Sequence, residues 1–188
     1  MINKQIDKIE LTDIEQLQSN AVLEGKTIEY KKQFPSNSDA DRKEFLADIS
    51  SFANTSGGDL IFGITEENGS PKSIDGIEIE NVDEEVRKYE NIIRDGIEPR
   101  TIFVTRTINV SDKKIIFVFR VNKSWIGPHR VIYKGHDKFY SRNSAGKYAL
   151  DTNELKIAFT LSQTLVEQIS KFKQEECCPI WKSTKSIL

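Results

Sequence analysis

Three glutamates have the residue type and spacing that metal-dependent chemistry requires. Glu24 precedes the first predicted strand, Glu29 lies on the polar face of that strand, and Glu66 follows the most apolar strand of the chain. Converging carboxylates are the ligands that Mg²⁺ or Mn²⁺ requires, and such an ion stabilises a phosphodiester transition state and activates water. The residues alone leave two alternatives open, a shared Mg²⁺ or Mn²⁺ site and solvated surface acids, because glutamate is mostly exposed in proteins.

The spacing of the first two glutamates matters for this choice. Residues five apart on a regular strand point to opposite faces of the sheet, because side chains alternate along a strand. Glu24 and Glu29 therefore meet only if Gly25 turns the chain between them. The sequence predicts a shared site only on that condition.

Basic side chains lie near these glutamates in the sequence and could bind phosphates. Lysines flank Glu29 on both sides, and a later segment, residues 133–148, interleaves lysine and arginine with tyrosine and phenylalanine. Cations interleaved with aromatic rings suit a groove that follows a nucleic-acid backbone and stacks unpaired bases, although a solvated face over ordinary strand aromatics has the same pattern. The predicted nucleic-acid contacts are Lys26, Lys31, Lys138, Tyr140, Arg142 and Lys147.

Other metal and nucleotide sites lack the necessary residues. Cys177 and Cys178 are adjacent, and neither His129 nor His136 has a cysteine or histidine partner at ligand spacing, so we expect no zinc site. The glycine pair Gly57-Gly58 follows a predicted helix and is not followed by Gly-Lys-Ser/Thr, so we expect no nucleotide-binding loop.

The elements that must position these side chains are organised around residues 45–69, FLADISSFANTSGGDLIFGITEENG. Its first half has apolar residues at helical spacing, and Leu60–Ile64 is an apolar run too short for a helix. Gly57 and Gly58 between them predict a helix end, because glycine adopts the left-handed conformation without strain. A strand that is apolar on both faces must be central in its sheet. The acidic turn at Glu66 and Glu67 then lies at the exit of this strand.

The remaining pattern mixes helices and strands without a strict β-α-β repeat. Helix starts are predicted at Asp41 with Glu44, at Asn81 with Glu84 and at Asp151 with Glu154, and alternating residues around Ser111–Lys114 predict a β-hairpin. The fold class is therefore α+β, with a mixed, mostly antiparallel sheet packed against helices.

Length and composition set the remaining expectations. The 188 residues predict one domain over residues 1–174, followed by a mobile tail over residues 175–188. The polar N-terminus and the absence of a long apolar run predict a cytoplasmic protein without a membrane segment. Because the net charge is −2, any nucleic-acid contact must come from a local basic patch.

Several of these motifs occur together in an order that resembles the Schlafen AlbA-like domain family, whose members are described as DNA-binding or divergent ATPase-like. The resemblance covers residues 17–172. It depends most on the Glu29-Tyr30-Lys31 strand and on the Ala53-Asn54-Thr55-x-Gly57-Gly58 stretch, supported by the later Phe139-Tyr140-x-Arg142-x-Ser144 segment.

The resemblance implies roles for the three glutamates. In vertebrate Schlafens, two glutamates five apart and an acid after the Gly-Gly strand form a metal-dependent ribonuclease site. Those positions correspond to Glu24, Glu29 and Glu66, with Glu67 as an alternative third ligand. The family usually has aspartate at the third position, and its zinc-binding cysteines and histidine have no counterpart in this chain. Those nucleases use two copies of the lobe, so a single-lobed chain is expected to form a homodimer.

Two functions are therefore predicted. The first is a nucleic-acid-binding domain, with a preference for RNA or single strands and with the choice between RNA and DNA left open. The alternative is a metal-dependent endoribonuclease acting on structured RNA such as tRNA, in which Lys31 or Lys26 steadies the scissile phosphate. A scaffold or nucleotide-sensing module is a third, less supported reading.

Overall fold

One helix and the strand that follows it form the centre of the molecule. The computed structural model describes residues 1–177. Its helices are α1 (Leu11–Ser19), α2 (Asp39–Asn54), α3 (Val82–Gly96) and α4 (Thr152–Cys177), and a short 3-10 turn at Ile6–Lys8 precedes them. The strands are β1 (Ile28–Lys31), β2 (Gly58–Phe62), β3 (Ile64–Glu67), β4 (Ser70–Ile74), β5 (Ile77–Glu78), β6 (Ile97–Glu98), β7 (Phe103–Ser111), β8 (Lys114–Val121), β9 (Arg130–Tyr133), β10 (His136–Asn143) and β11 (Gly146–Ala149).

These strands form two larger sheets and one hairpin. In the first sheet β8 pairs along one edge with β7 and along the other with β2 and β5, and β1 is added to β2 in parallel. The second sheet has the order β11-β10-β9-β6 and is antiparallel, and β3 and β4 form the separate hairpin. The α+β class with mostly antiparallel pairing is confirmed.

Apolar cores lie on both faces of the first sheet. Leu60 and Phe62 of β2 pack under α2 and α3, whereas Ile61 between them packs against the N-terminal segment and α1. Every residue of β2 is buried. The prediction that this strand is central and apolar on both faces is confirmed. α2 also packs against β9, β10 and β11, so it lies between the two sheets.

The glycine pair ends α2 and starts β2, as predicted. Gly57 has a φ of +73°, and a Cβ atom there would lie 2.7 Å from the carbonyl oxygen of Val121. A Cβ on Gly58 would lie 2.2 Å from the ring of Phe52. Only glycine fits both positions, because the backbone conformation and the close packing each exclude a side chain.

Three boundaries differ from the predictions. α2 begins at Asp39 with Ser38 as its cap, whose Oγ accepts a hydrogen bond from Asp41 N at 3.1 Å, so the predicted start at Asp41 and Glu44 is wrong. The pattern of residues 71–79 predicts a loop, but the structure has β4 and β5 there. The alternating residues 27–34 predict the first strand, which the structure limits to Ile28–Lys31. The starts at Asn81 and Asp151 are confirmed by their cap hydrogen bonds.

Of the predicted C-terminal tail over residues 175–188, residues 178–188 lie outside the described residues, and the domain boundary stays a prediction. Along residues 1–177, no helix is both long enough and apolar enough to cross a bilayer.

Candidate functional site

A buried arginine joins the two sheets beside the C-terminal half of α2. The guanidinium of Arg142, on β10, pairs with Glu29 of β1 and with Asp48 of α2, whose Oδ1 atom lies 3.3 Å from Nη1. Its Nε donates to the carbonyl oxygen of Gly25 at 3.2 Å, and its Cζ lies 4.2 Å from the ring centroid of Phe52. The side chain of Arg142 is 0% exposed. These contacts form the centre of a charged cluster that links β1, α2 and β10.

Two lysines complete this cluster. Lys147 Nζ lies 2.8 Å from Asp48 Oδ1 and also pairs with Glu44 at the surface. Lys31 Nζ donates to Glu29 Oε1 at 2.8 Å and lies 4.0 Å from Asp48 Oδ2. We call these six residues the ion cluster: Lys31, Arg142 and Lys147 with Glu29, Glu44 and Asp48. Cations and carboxylates alternate in it, so each buried charge has an opposite neighbour, as burial requires.

Burial and pairing act in opposite directions on the pKa values of the buried carboxyls. Burial acts to raise the pKa of Glu29, but the neighbouring Arg142 and Lys31 outweigh it and lower the pKa below its ordinary value. Burial raises the pKa of Asp48, against the opposing effect of Lys147. Glu29 is therefore held in its charged form by its two cationic neighbours.

The ion cluster changes the role of three predicted nucleic-acid contacts. Arg142 does not fit the predicted contact, because none of its side chain is accessible to a phosphate. Lys147 is 17% exposed and Lys31 is 33% exposed, so each presents part of its side chain while holding a carboxylate. The structure brings all three together, but as partners of acids on β1 and α2.

The three predicted metal ligands lie near one another. The chain turns between Gly25 and Ile28, whose backbone atoms are joined by a 3.0 Å hydrogen bond, and Glu24 and Glu29 line one cleft of about 450 Å³ together with Lys147. The chain therefore turns between Glu24 and Glu29, as a shared site for these two residues requires. Burial raises the pKa of Glu24, and the negative charges of Glu29 and Glu66 raise it further.

Each of these carboxylates nevertheless has its own partner. Glu24 Oε1 accepts a hydrogen bond from Tyr30 N at 2.7 Å, and Glu66 Oε2 accepts one from Gly69 N at 2.6 Å. Glu29 is held by the ion cluster. Across residues 1–177, no group of three or more His, Cys, Asp or Glu side chains is placed to hold a metal ion. In this arrangement the three carboxylates are engaged by protein groups and do not converge on one point, and Glu67, the alternative ligand, pairs with Lys72.

The remaining predicted contacts lie on exposed surface. Lys26 and Lys138 are exposed, and Tyr140 is half-buried. The rings of Tyr140 and His136 are nearly parallel, with 6.0 Å between centroids and 14° between planes, and they meet through their polar edges, because the tyrosine hydroxyl and His136 Nε2 are 2.8 Å apart. Lys138 lies between these two rings in sequence and on the same face of β10.

Sequence reasoning missed Asp48 and Glu44 as members of the ion cluster. A signal for Asp48 was present, because it occupies the apolar stripe of α2 between Phe45 and Phe52. A charged residue at a core position needs a buried partner of opposite charge. The sequence does not identify that partner, which lies 94 residues away at Arg142.

Comparison with known proteins gives the family of the chain. No match is found among curated proteins. Among solved structures, the chain is similar to the DIP2311 protein from Corynebacterium diphtheriae, with 14% sequence identity and a TM-score of 0.47. That alignment covers 75% of this chain and 30% of the other. The family model described as Schlafen, AlbA_2 matches residues 24–151, more than half of the sequence, and the chain therefore belongs to the Schlafen AlbA_2 family.

Proposed function

We propose that the chain binds nucleic acid, with a preference for RNA or single strands, at the first half of β10, around His136, Lys138 and Tyr140, and at the adjoining part of α2. The observation that carries this proposal is the pair of adjoining, nearly parallel rings of His136 and Tyr140, with Lys138 between them in sequence on the same face of β10. Aromatic rings beside cations bind unpaired bases by stacking and the phosphates by charge. Membership of the AlbA_2 family supports the same function.

The distribution of charge supports this surface. Among the described residues, Lys26, Lys43 and Lys138 have no carboxylate within salt-bridge distance. The positive charges of Lys138 and Lys43 both act, after burial, to lower the pKa of His136, so the two lysines are close to the ring pair. A local group of unneutralised lysines attracts phosphates even though the net charge of the whole chain is −2.

Lys138→Ala is expected to weaken binding of a single-stranded oligonucleotide and to reduce the salt dependence of binding. Each phosphate contact removed should lower the slope of log K against log salt concentration by about 0.7 for a single strand. Fluorescence anisotropy of labelled RNA and DNA 20-mers at several salt concentrations measures both quantities.

The matched control for this variant is Lys8→Ala. Lys8 is also exposed, but it lies in the 3-10 turn on the opposite face of the first sheet. Both variants lose one positive charge, so a general effect of net charge would appear in both. An unchanged slope in Lys138→Ala would remove Lys138 from the proposed surface.

A metal-dependent endoribonuclease acting on structured RNA such as tRNA is the second candidate function. The observation in its favour is the closeness of three carboxylates, since Glu29 and Glu66 raise the pKa of Glu24 by repulsion. A divalent cation relieves such repulsion. The present hydrogen bonds of these carboxylates stand against it, and so does the engagement of Glu29 in the ion cluster.

Glu24→Gln provides the cleaner test of this second function, because Glu29 also stabilises Arg142 and its removal would confound the result. If the chain is a nuclease, it should cut total tRNA in Mn²⁺, stop cutting with chelator, and lose at least tenfold in rate in Glu24→Gln. Glu15→Gln, on the exposed face of α1, is the control. Binding without metal-dependent cutting would leave the first function alone.

The homodimer stays part of this proposal. A second copy would place two such surfaces in one assembly, and sedimentation of the free protein and of its complex measures the oligomeric state directly.

A further inference from the structure

A second cleft lies beside the ion cluster, between α2 and the residues that follow β1. Its volume is about 210 Å³, and its walls include the aromatic rings of Phe34 and Phe62 together with Pro35. Lys31 and Gln33 lie at its edge, and Asp48 contributes the only nine-tenths buried carboxylate among its lining residues. Asp41 and Glu44 also line it and are less buried than Asp48. The cleft thus combines apolar walls, one buried carboxylate and a more exposed part that carries Lys31 and two further carboxylates.

Asp48 leaves one of its two oxygens without a hydrogen bond in this cleft. Oδ1 accepts from Arg142 at 3.3 Å and from Lys147 at 2.8 Å. Within residues 1–177 Oδ2 accepts no hydrogen bond and lies 4.0 Å from Lys31 Nζ. Neither Arg142 nor Lys147 lines this cleft, whereas Lys31 does, so Oδ2 is the oxygen on the cleft side. Because Oδ2 is not fully buried, a donor that enters the cleft can reach it.

We propose that this cleft binds a nucleobase that carries an exocyclic amino group, with the amino group donating to Asp48 Oδ2. The rings of Phe34 and Phe62 are in contact at 5.1 Å between centroids, so the base would lie over the open side of the half-buried Phe34 ring and stack on it. Lys31 at the edge is placed to contact the phosphate of the same nucleotide. This inference rests on the proposed nucleic-acid binding and adds base selectivity to it.

The chemistry of Asp48 separates the four bases. Cytosine, adenine and guanine each present an amino group, and aspartate is a recognised acceptor for the cytosine N4 amino group. Uracil and thymine present carbonyl oxygens on both sides of their single N–H group. A carboxylate repels those oxygens, so the cleft discriminates against uracil and thymine.

The test compares oligocytidine with oligouridine, because these pyrimidines differ at the positions that face Asp48. At neutral pH we expect the wild-type protein to bind a labelled C-rich RNA about fivefold or more tightly than a U-rich RNA of the same length. Titration with CMP and UMP repeats the comparison without the extended lysine surface.

Asp48→Asn should reverse this preference. Arg142 and Lys147 both donate at the Oδ1 position, so the amide oxygen must take that position and the amide nitrogen must face the cleft. The cleft then offers a donor, which suits the uracil O4 carbonyl and opposes the cytosine amino group. If Asp48 had a purely structural role, Asp48→Asn would weaken the binding of C-rich and U-rich RNA equally.

A second variant keeps the test decisive if Asp48→Asn fails to fold. Gln33→Trp places a large ring at the mouth of the cleft from an exposed position, and it should abolish the preference for cytidine. Gln5→Trp, at the start of the 3-10 turn on the other face of the sheet, is the control and should keep it.

The outcomes separate the two proposals. Equal affinity of the wild-type protein for C-rich and U-rich RNA, and for CMP and UMP, overturns the nucleobase cleft while nucleic-acid binding stands. Absence of binding to any oligonucleotide overturns the proposed function. In that case preferential binding of CMP still supports the cleft, and failure to bind CMP overturns it as well.

Discussion

Arg142→Met is expected to lower the free energy of unfolding by about 3–5 kcal/mol, because it leaves Glu29 and Asp48 as buried carboxylates without their shared cation. Methionine keeps much of the volume of the side chain, so the loss reports charge pairing more than cavity formation. Urea denaturation of both proteins at neutral pH measures the difference.

The pH dependence of this loss provides a second check. In the wild-type protein the pKa of Glu29 is lowered from its ordinary value of 4.5, so the stability it contributes is present above that value and is lost as pH falls. Without Arg142, burial raises the pKa of Glu29, and protonation relieves the unpaired charge. The difference between the two proteins should therefore shrink as the pH is lowered from 7 toward 4.5.

Lys138→Met is the matched control for Arg142→Met. It lies on the same strand and the same face, four residues earlier, but its side chain is exposed. Its stability should stay within about 0.5 kcal/mol of the wild type. If Arg142→Met were as stable as this control, the guanidinium would not be paired as the structure places it.

Phe62→Ala is expected to cost about 3–5 kcal/mol of unfolding free energy, because it opens a cavity in the largest aromatic group of the core. The ring of Phe62 is 2% exposed, and it packs against Phe34, Phe45 and Phe119 at centroid distances of 5.1, 6.1 and 5.9 Å. Thermal and urea denaturation, each followed by two spectroscopic signals whose transitions should coincide, measure this loss of unfolding free energy.

Phe159→Ala controls for the loss of a phenylalanine as such. Phe159 lies on α4 and is 50% exposed, so its removal should cost much less than the removal of Phe62. Because Phe62 also lines the proposed nucleobase cleft, binding of the Phe62 variant is best compared only under conditions in which it is folded.

Local sequence signals predict the centre of this fold correctly. The apolar stripe of α2, the glycine pair and the apolar run of β2 each follow from short-range physics, and the structure has all three in the predicted order. The β3–β4 hairpin was missed although its turn residues, Asn68 and Gly69, both have positive φ and are typical of a tight hairpin. β6, with two residues, is too short to produce a periodic pattern.

The candidate site is less predictable for a different reason. The sequence could predict that Glu24 and Glu29 meet, because this depends on a single turn and the glycine at position 25 indicates where that turn lies. The pairing of Arg142 could not, since it depends on contacts with Gly25, Glu29 and Asp48, which lie 94 to 117 residues away in sequence. A cation next to aromatic residues has the same sequence pattern whether it faces solvent or a buried acid.

Because α2 lies between the two sheets, the proposed binding of a nucleotide would depend on the contact between α2 and the second sheet. The ion cluster draws on β1 and α2 on one side and on β10 and β11 on the other, so it exists only while the second sheet is docked on α2. Local opening of the second sheet would separate Lys138 on β10 from Asp48 on α2 and break the ion cluster in one event. If the proposed ligand bound both Lys138 on β10 and the cleft beside α2, it would link the two sheets, and its binding free energy would add to the free energy of separating them.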